Sequence, residues 1–337
     1  MIFTICGGGS LSHVIAGYIA AKKRCEVNIL TRNPYDWSST IIVDDPAGKV
    51  FSGDINMITD DASKVIPHSD VVLLCVPGFG IKDILLQIAP YVSSQTFVGS
   101  VVSSTGFFRM AFDICTPEQQ LFGFQRVPFI ARVSQYGHSA HLLGYKQSIN
   151  MAIVNADEKK SQLLKNQFES LLDLPVNLLN NYYEAALTNS NPLLHPSRIY
   201  TMWKDWQPGL TYSSCPLFYA DWTDEASELY IKMDNEFQHM LTQLPQEVHI
   251  TDVLTYYESS DASSLTRKLR SIKAFCTIPS PMKMLNDGRY VPDFQSRYFT
   301  EDFPYGMASI LSVAEEFSID IPTIRKIYQW GMNVCSQ

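Results

Sequence analysis

An imidazole set between two prolines is the first feature of this 337-residue chain with chemistry in it. In TNSNPLLHPSRIY, residues 188–200, His195 lies between Pro192 and Pro196 inside an apolar, helix-like run. A histidine titrates near working pH, so it can both take and give a proton. The prolines disturb the backbone around it. Pro196 has no N–H, so the carbonyl of Pro192 loses its helical donor, and Pro192 does the same to the carbonyl of Thr188. A helix here must kink or restart. Backbone carbonyls without partners sit more cheaply at a polar cleft than in an apolar core. The bland alternative is a satisfied structural histidine. A second stretch, DFQSRYFTEDFPYGM at 293–307, supplies Arg297, Glu301 and Asp302 before an aromatic–proline turn and Gly306. A carboxylate on a histidine nitrogen fixes the tautomer and stabilises the imidazolium. An arginine can clamp a substrate carboxylate at two points. Thr300, Glu301 and Asp302 could equally cap a helix at 306–317. Spacing alone does not decide whether residues 195 and 302 meet.

A third set is CGGGSLSH, residues 6–13. Gly7, Gly9 and Ser12 fill the three positions of G-x-G-x-x-G, and Ser10 completes the GGGS turn. The first glycine permits the tight turn, the second lets a pyrophosphate approach the backbone, and a small third residue lets helix and strand pack. A bare glycine motif is weak; its place after a first strand and before a helix is what gives it weight. The next strand ends in Thr31, Arg32 and Asn33, with no acid for a ribose 2′-hydroxyl. The fork of Arg32 suits a 2′-phosphate, which favours NADP(H) and leaves NAD(H) open. Val76 and Pro77, at the end of the strand at 70–77, are expected on the nicotinamide side or else in ordinary core and turn.

These residues need elements to hold them. Apolar runs at 2–6, 25–31, 70–77, 96–102, 121–129 and 148–155 read as strands, with a hairpin in 40–55. Helical spacing follows the glycine turn and recurs at 81–89 and at 157–173. Beyond about residue 180 strand signals become rare, and helices are expected at 182–191, 222–244, 262–275, 306–317 and 322–333. The expected class is α/β: a doubly wound, Rossmann-like NAD(P)-binding domain over 1–180, then an all-helical substrate-binding domain over 181–337. In such sheets the ligand lies beyond the carboxyl ends of the strands, and a second domain there would close over it.

Composition removes several classes. The net charge is −8 and the basic runs are short, which argues against nucleic acid. No apolar run is long enough for a membrane span, and the N-terminus lacks the basic start of a signal peptide. Seven scattered cysteines with no CxxC pair fit reduced thiols in a cytoplasm; no metal site is expected.

CGGGSLSH, NSNPLLHPSRIY and RYFTEDFPYG together resemble the octopine/nopaline (opine) dehydrogenase family over most of the chain. The last two motifs are the specific ones. The resemblance implies a reductive condensation of an amino acid with a 2-keto acid, with NAD(P)H as hydride source. It implies a proton-transfer dyad of His195 and Asp302, with Arg297 on the keto acid carboxylate. FGFQRVPFIARV at 122–133 resembles the family's sixth-strand region, which puts Gln125 and Arg126 at the edge of the site. The amino acid pocket would lie on the helical domain, rich in Trp203, Trp206, Tyr212, Phe218 and Trp222, although such aromatics are more often core. Two other readings stay open. One is an NADP-dependent reductase of a simple keto or hydroxy acid. Related reductases carry a catalytic lysine on the first helix of the second domain, and here none comes before Lys204. The other is a non-catalytic NAD(P)-binding sensor. Monomer or homodimer is also open.

Overall fold

The computed structural model describes residues 1–335, and the chain divides into two compact units, Met1–Ala186 and Leu187 onward. The first unit is built on β1 (Ile2–Cys6), α1 (Ser10–Ala21), β2 (Glu26–Leu30), β3 (Thr40–Asp44), β4 (Val50–Asp54) and β5 (Met57–Thr59). It continues through β6 (Val71–Leu74), α2 (Gly78–Ile88), β7 (Phe97–Ser100), α3 (Phe107–Ile114), β8 (Leu121–Phe124), β9 (Phe129–Gln135) and β10 (Ser139–Tyr145). It ends with β11 (Ile149–Val154), α4 (Glu158–Leu172), β12 (Val176–Leu178) and α5 (Tyr183–Ala186).

Among the described residues the main sheet runs β12-β11-β8-β7-β6-β1-β2-β5. From β5 to β8 all neighbours are parallel, and β11 runs antiparallel to β8. Strand order reverses between β1 and β6, which is where an open α/β sheet leaves its ligand crevice. The central strands β1 and β6 are apolar apart from Thr4, because both of their faces are covered. The hairpin expected in 40–55 forms, but it joins a separate four-stranded sheet, β4-β3-β10-β9. The apolar run 121–129 is not one strand. It ends at Phe124, and Phe129 opens the first strand of the second hairpin, so the two belong to different sheets. Helix α1 packs against strands of this second sheet as well as the main one, and residues Ser12–Ala20 are all buried. A helix with apolar residues all round reads as such a sandwiched element.

The second unit holds α6 (Asn191–Trp203), α7 (Asp224–Thr242), α8 (Val253–Tyr256) and α9 (Ala262–Ser271). A short ribbon of β13 (Met282–Met284) and β14 (Tyr290–Pro292) follows, so the unit is helical with one small hairpin, not wholly helical. Then come α10 (Arg297–Thr300), a π-helical turn (Asp302–Met307), α11 (Ala308–Glu316) and α12 (Pro322–Cys335). The helix expected at 182–191 does not exist as one piece. Its front, α5, packs on the main sheet, where Gln125 donates to the carbonyl of Glu184 at 2.8 Å, and α6 begins afresh at Asn191.

Candidate active site

The glycine turn follows β1 directly. Gly7 has φ of +126°, a conformation that L side chains rarely adopt, and a Cβ there would lie 2.7 Å from the Cys75 carbonyl and 2.9 Å from Val76. This close approach brings the turn against the end of β6, so Gly7, Val76 and Pro77 stand together at the switch point. Gly9 precedes α1 in extended backbone, and a Cβ placed on it would meet nothing within 4 Å. Open space beside a bare backbone at a helix N-terminus fits a dinucleotide pyrophosphate. Ser12 is buried and donates to the Cys75 carbonyl at 3.3 Å, the close helix–strand packing expected of the third motif position. Ser10 instead accepts from the Val133 N–H at 3.1 Å, tying the turn to β9. Thr31 is buried after β2, and Arg32 is exposed beside it.

His13 was missed as a site residue, although it closes the CGGGSLSH motif. Its Nδ1 lies 2.8 Å from the Gly9 carbonyl, and its Nε2 accepts from the Gly137 N–H at 2.7 Å. A backbone N–H can only donate, so Nε2 is bare and Nδ1 carries the proton. The ring stacks on Trp37 at 4.1 Å, and burial lowers its pKa from 6.5. His13 thus holds the glycine turn to the tip of the β9–β10 hairpin. No periodicity signals this, because Gly137 lies more than a hundred residues away.

In the helical unit the two prolines act differently. Pro192 sits in the first turn of α6, where its missing N–H costs nothing, so the helix restarts there and does not cross it. Pro196 lies inside the helix and removes the donor for the Pro192 carbonyl. The preceding segment is pinned: Asn189 donates to Asp234 at 2.6 Å and to the Thr251 carbonyl at 2.9 Å, and Tyr230 donates to the Asn189 carbonyl at 2.8 Å. The same Asp234 accepts from the Val253 N–H at 2.8 Å.

Residues 195 and 302 meet. His195 Nδ1 lies 2.7 Å from Asp302 Oδ2, with 11% and 14% of the side-chain surfaces accessible. A carboxylate only accepts, so Nδ1 carries the proton. Burial raises the Asp302 pKa above 3.8, while the charges of His195 and Arg297 pull it back. Thr300, Glu301 and Asp302 do not cap α11. The chain runs through α10 and the π turn without a side-chain cap, and Asp302 leaves that turn toward α6. Single π turns are rare and recur at functional sites. The two motifs also pack: a Cβ on Gly306 would lie 2.7 Å from Pro192 Cγ, so only glycine allows this approach of the π turn to α6.

The other side of the imidazole holds Tyr219, a residue that no motif flagged. Its hydroxyl is 2.9 Å from His195 Nε2. Tyr298 stands edge-on to the ring at 4.7 Å and Phe218 at 5.7 Å. Arg297, five positions before Asp302, keeps 83% of its side chain exposed and lies 3.8 Å from Glu301. Of the aromatics considered for a pocket, Trp203, Phe218 and Trp222 are core residues, while Trp206 and Tyr212 are partly exposed. Gln125 has both ends of its amide engaged, with Glu184 and with Asn150 at 3.0 Å, and Arg126 is exposed. Lys204 lies at the end of α6, ion-paired with Glu225 at 2.7 Å. Among the described residues no cluster of three metal-ligating side chains occurs, and no helix is long and apolar enough to cross a membrane.

A dinucleotide-type turn in one unit and a carboxylate–histidine dyad in the other define a two-domain oxidoreductase. Residues 178–335 match the family model described as NAD/NADP octopine/nopaline dehydrogenase, alpha-helical domain, and residues 3–124 match that of ketopantoate reductase PanE/ApbA. An opine dehydrogenase of Haliotis discus hannai is 27% identical, covering 97% of this chain and 88% of its own. A structure of octopine dehydrogenase with NADH and L-arginine superposes with a TM-score of 0.86 at 24% identity, over 100% of this chain and 90% of the other. NADP+-bound yersinopine dehydrogenase gives 0.74 at 13%, over 99% and 90%. The resemblance drawn from the motifs is borne out: the chain is an oxidoreductase that carries the octopine/nopaline dehydrogenase helical domain over residues 178–335 and is similar over nearly its whole length to an opine dehydrogenase.

Proposed function

We propose that the protein is an NAD(P)H-dependent opine dehydrogenase that joins the amino group of an amino acid to a 2-keto acid and reduces the product to a secondary amine. The observation that carries this reading is the 2.7 Å contact between His195 and Asp302. On this reading residues 1–180 bind the dinucleotide through Gly7, Gly9, Ser10, Ser12, Thr31, Arg32, Val76 and Pro77, and residues 181–337 hold the substrates. The glycine turn fits the group, since a Cβ on Gly7 would fill the close approach and Gly9 leaves its side open. When bound, the dinucleotide supplies the hydride. The chain's own work is proton transfer and orientation. Condensation requires the ammonium to lose a proton and the departing oxygen to gain protons, and His195 serves both by cycling between neutral and charged forms. Asp302 holds the proton on Nδ1 and stabilises the imidazolium. The exposed fork of Arg297 takes the keto acid carboxylate at two points. Gln125 supports α5, with Arg126 beside it at the edge of the first unit. We favour NADP(H) on the strength of exposed Arg32 and the absence of an acid after β2, and we place the protein in the cytoplasm on its scattered thiols.

The test is NADPH and NADH oxidation by the full chain with pyruvate or 2-oxoglutarate, with and without a panel of amino acids. Rates that require the amino acid are expected. Equal rates without it would mean simple keto-acid reduction, no oxidation under any combination would mean a sensor, and equal use of both dinucleotides would refute the role of Arg32.

A further inference from the structure

An imidazole offers one in-plane site at each nitrogen, and in His195 both are taken within the helical unit. Asp302 accepts from Nδ1 at 2.7 Å, and the Tyr219 hydroxyl lies 2.9 Å from Nε2 in a buried contact. A substrate atom can exchange a proton with Nε2 directly only if Tyr219 leaves. The surroundings oppose that. The phenol ring is stacked on Phe275 at 4.7 Å and on Trp222 at 6.1 Å, with Phe218 edge-on at 5.0 Å. The backbone beside it is clamped: Arg198, one turn after His195 on α6, donates to the Asp221 carbonyl at 2.6 Å and to Thr223 at 3.3 Å. Arg270 donates to the Trp222 carbonyl, and the Leu217 N–H donates to Asp221 at 2.8 Å. Rotating one O–H costs far less than unstacking a ring held on that many sides.

We propose that Tyr219 is a relay residue, so that protons reach and leave Nε2 of His195 through its hydroxyl and not by contact between imidazole and substrate. This rests on the reaction proposed above. As the amino acid's ammonium gives up a proton, the Tyr219 oxygen accepts it while the Tyr219 O–H proton passes to Nε2. One proton moves from ammonium to imidazole, Tyr219 ends neutral, and no electron is transferred. The reverse pair of shifts delivers a proton to the departing hydroxyl, which leaves as water. A relay hydroxyl must keep its proton between steps. Burial, with Tyr298, Tyr257 and Asp302 nearby, raises the Tyr219 pKa well above 10 and does so.

The experiment compares wild type, Tyr219→Phe and a ring-fluorinated tyrosine at 219 in the full chain, with pyruvate, an accepted amino acid and NAD(P)H. Tyr219→Phe should lower kcat about 100-fold or more, the ordinary worth of a proton-transfer group, with dinucleotide affinity unchanged. The Nε2 nitrogen resonance of His195 should move while the rest of the amide spectrum stays in place. The fluorinated variant should turn over with a displaced pH profile of kcat. A Tyr219→Phe kcat within a few-fold of wild type overturns the relay alone; an inactive wild type overturns the proposed reaction and the relay with it. Should the Phe variant not fold, an undisplaced pH profile in the fluorinated variant overturns the relay.

Discussion

At the scale of residues, the proposed chemistry rests on three side chains that the sequence presented and one that it hid. His195, Asp302 and Arg297 were legible because each sits in a short motif of unusual composition, and the first two are 2.7 Å apart. Tyr219 was not legible. It lies in an aromatic-rich stretch, where one phenol among several core rings carries no mark, and only the fold shows which one reaches Nε2. His195→Ala should lower kcat by about 100- to 10,000-fold, as loss of a general acid–base does, and leave dinucleotide binding intact. Turnover within a few-fold of wild type would remove His195 from proton transfer. Arg297→Ala should raise the keto acid KM about 10- to 100-fold, the worth of roughly 1.5–3 kcal/mol in a charged hydrogen bond. An unchanged KM would refute the clamp.

At the scale of elements, the site depends on irregular backbone. The prolines were readable as a disturbance of α6, but their division of labour was not, because it depends on where the helix starts. The π turn was invisible for a related reason: Asp302 and its neighbours have the composition of a helix cap, and the contact with α6 overrides that local preference. The second hairpin was missed because 121–129 reads as one strand, although Gln125, Arg126 and Pro128 interrupt it where the chain crosses from one sheet to the other. That hairpin meets the glycine turn through His13, whose pKa burial lowers from 6.5. A lowered histidine pKa contributes stability that is full above 6.5 and is lost as the pH falls toward the folded value. Thermal unfolding at stepped pH should therefore show a loss of Tm below pH 6.5 that is smaller in His13→Gln. Parallel curves for the two proteins would show that His13 is not the titrating link.

At the scale of the whole molecule, fold class was the most legible property. Strand–turn–helix order and the fading of strand signals near residue 180 follow from hydrophobic period alone. The unit boundary at Ala186–Leu187 lies a little further on, since α5 is helical in sequence yet packs on the sheet. The first unit carries the dinucleotide turn and the second the dyad, and the proposed reaction needs both. The most direct measurement is the mass of the product formed by the full chain from NAD(P)H, a 2-keto acid and its preferred amino acid. The expected product is a secondary amine with the mass of both substrates less one water plus two hydrogens. A 2-hydroxy acid as the only product, with the amino acid recovered unchanged, would contradict the proposed condensation.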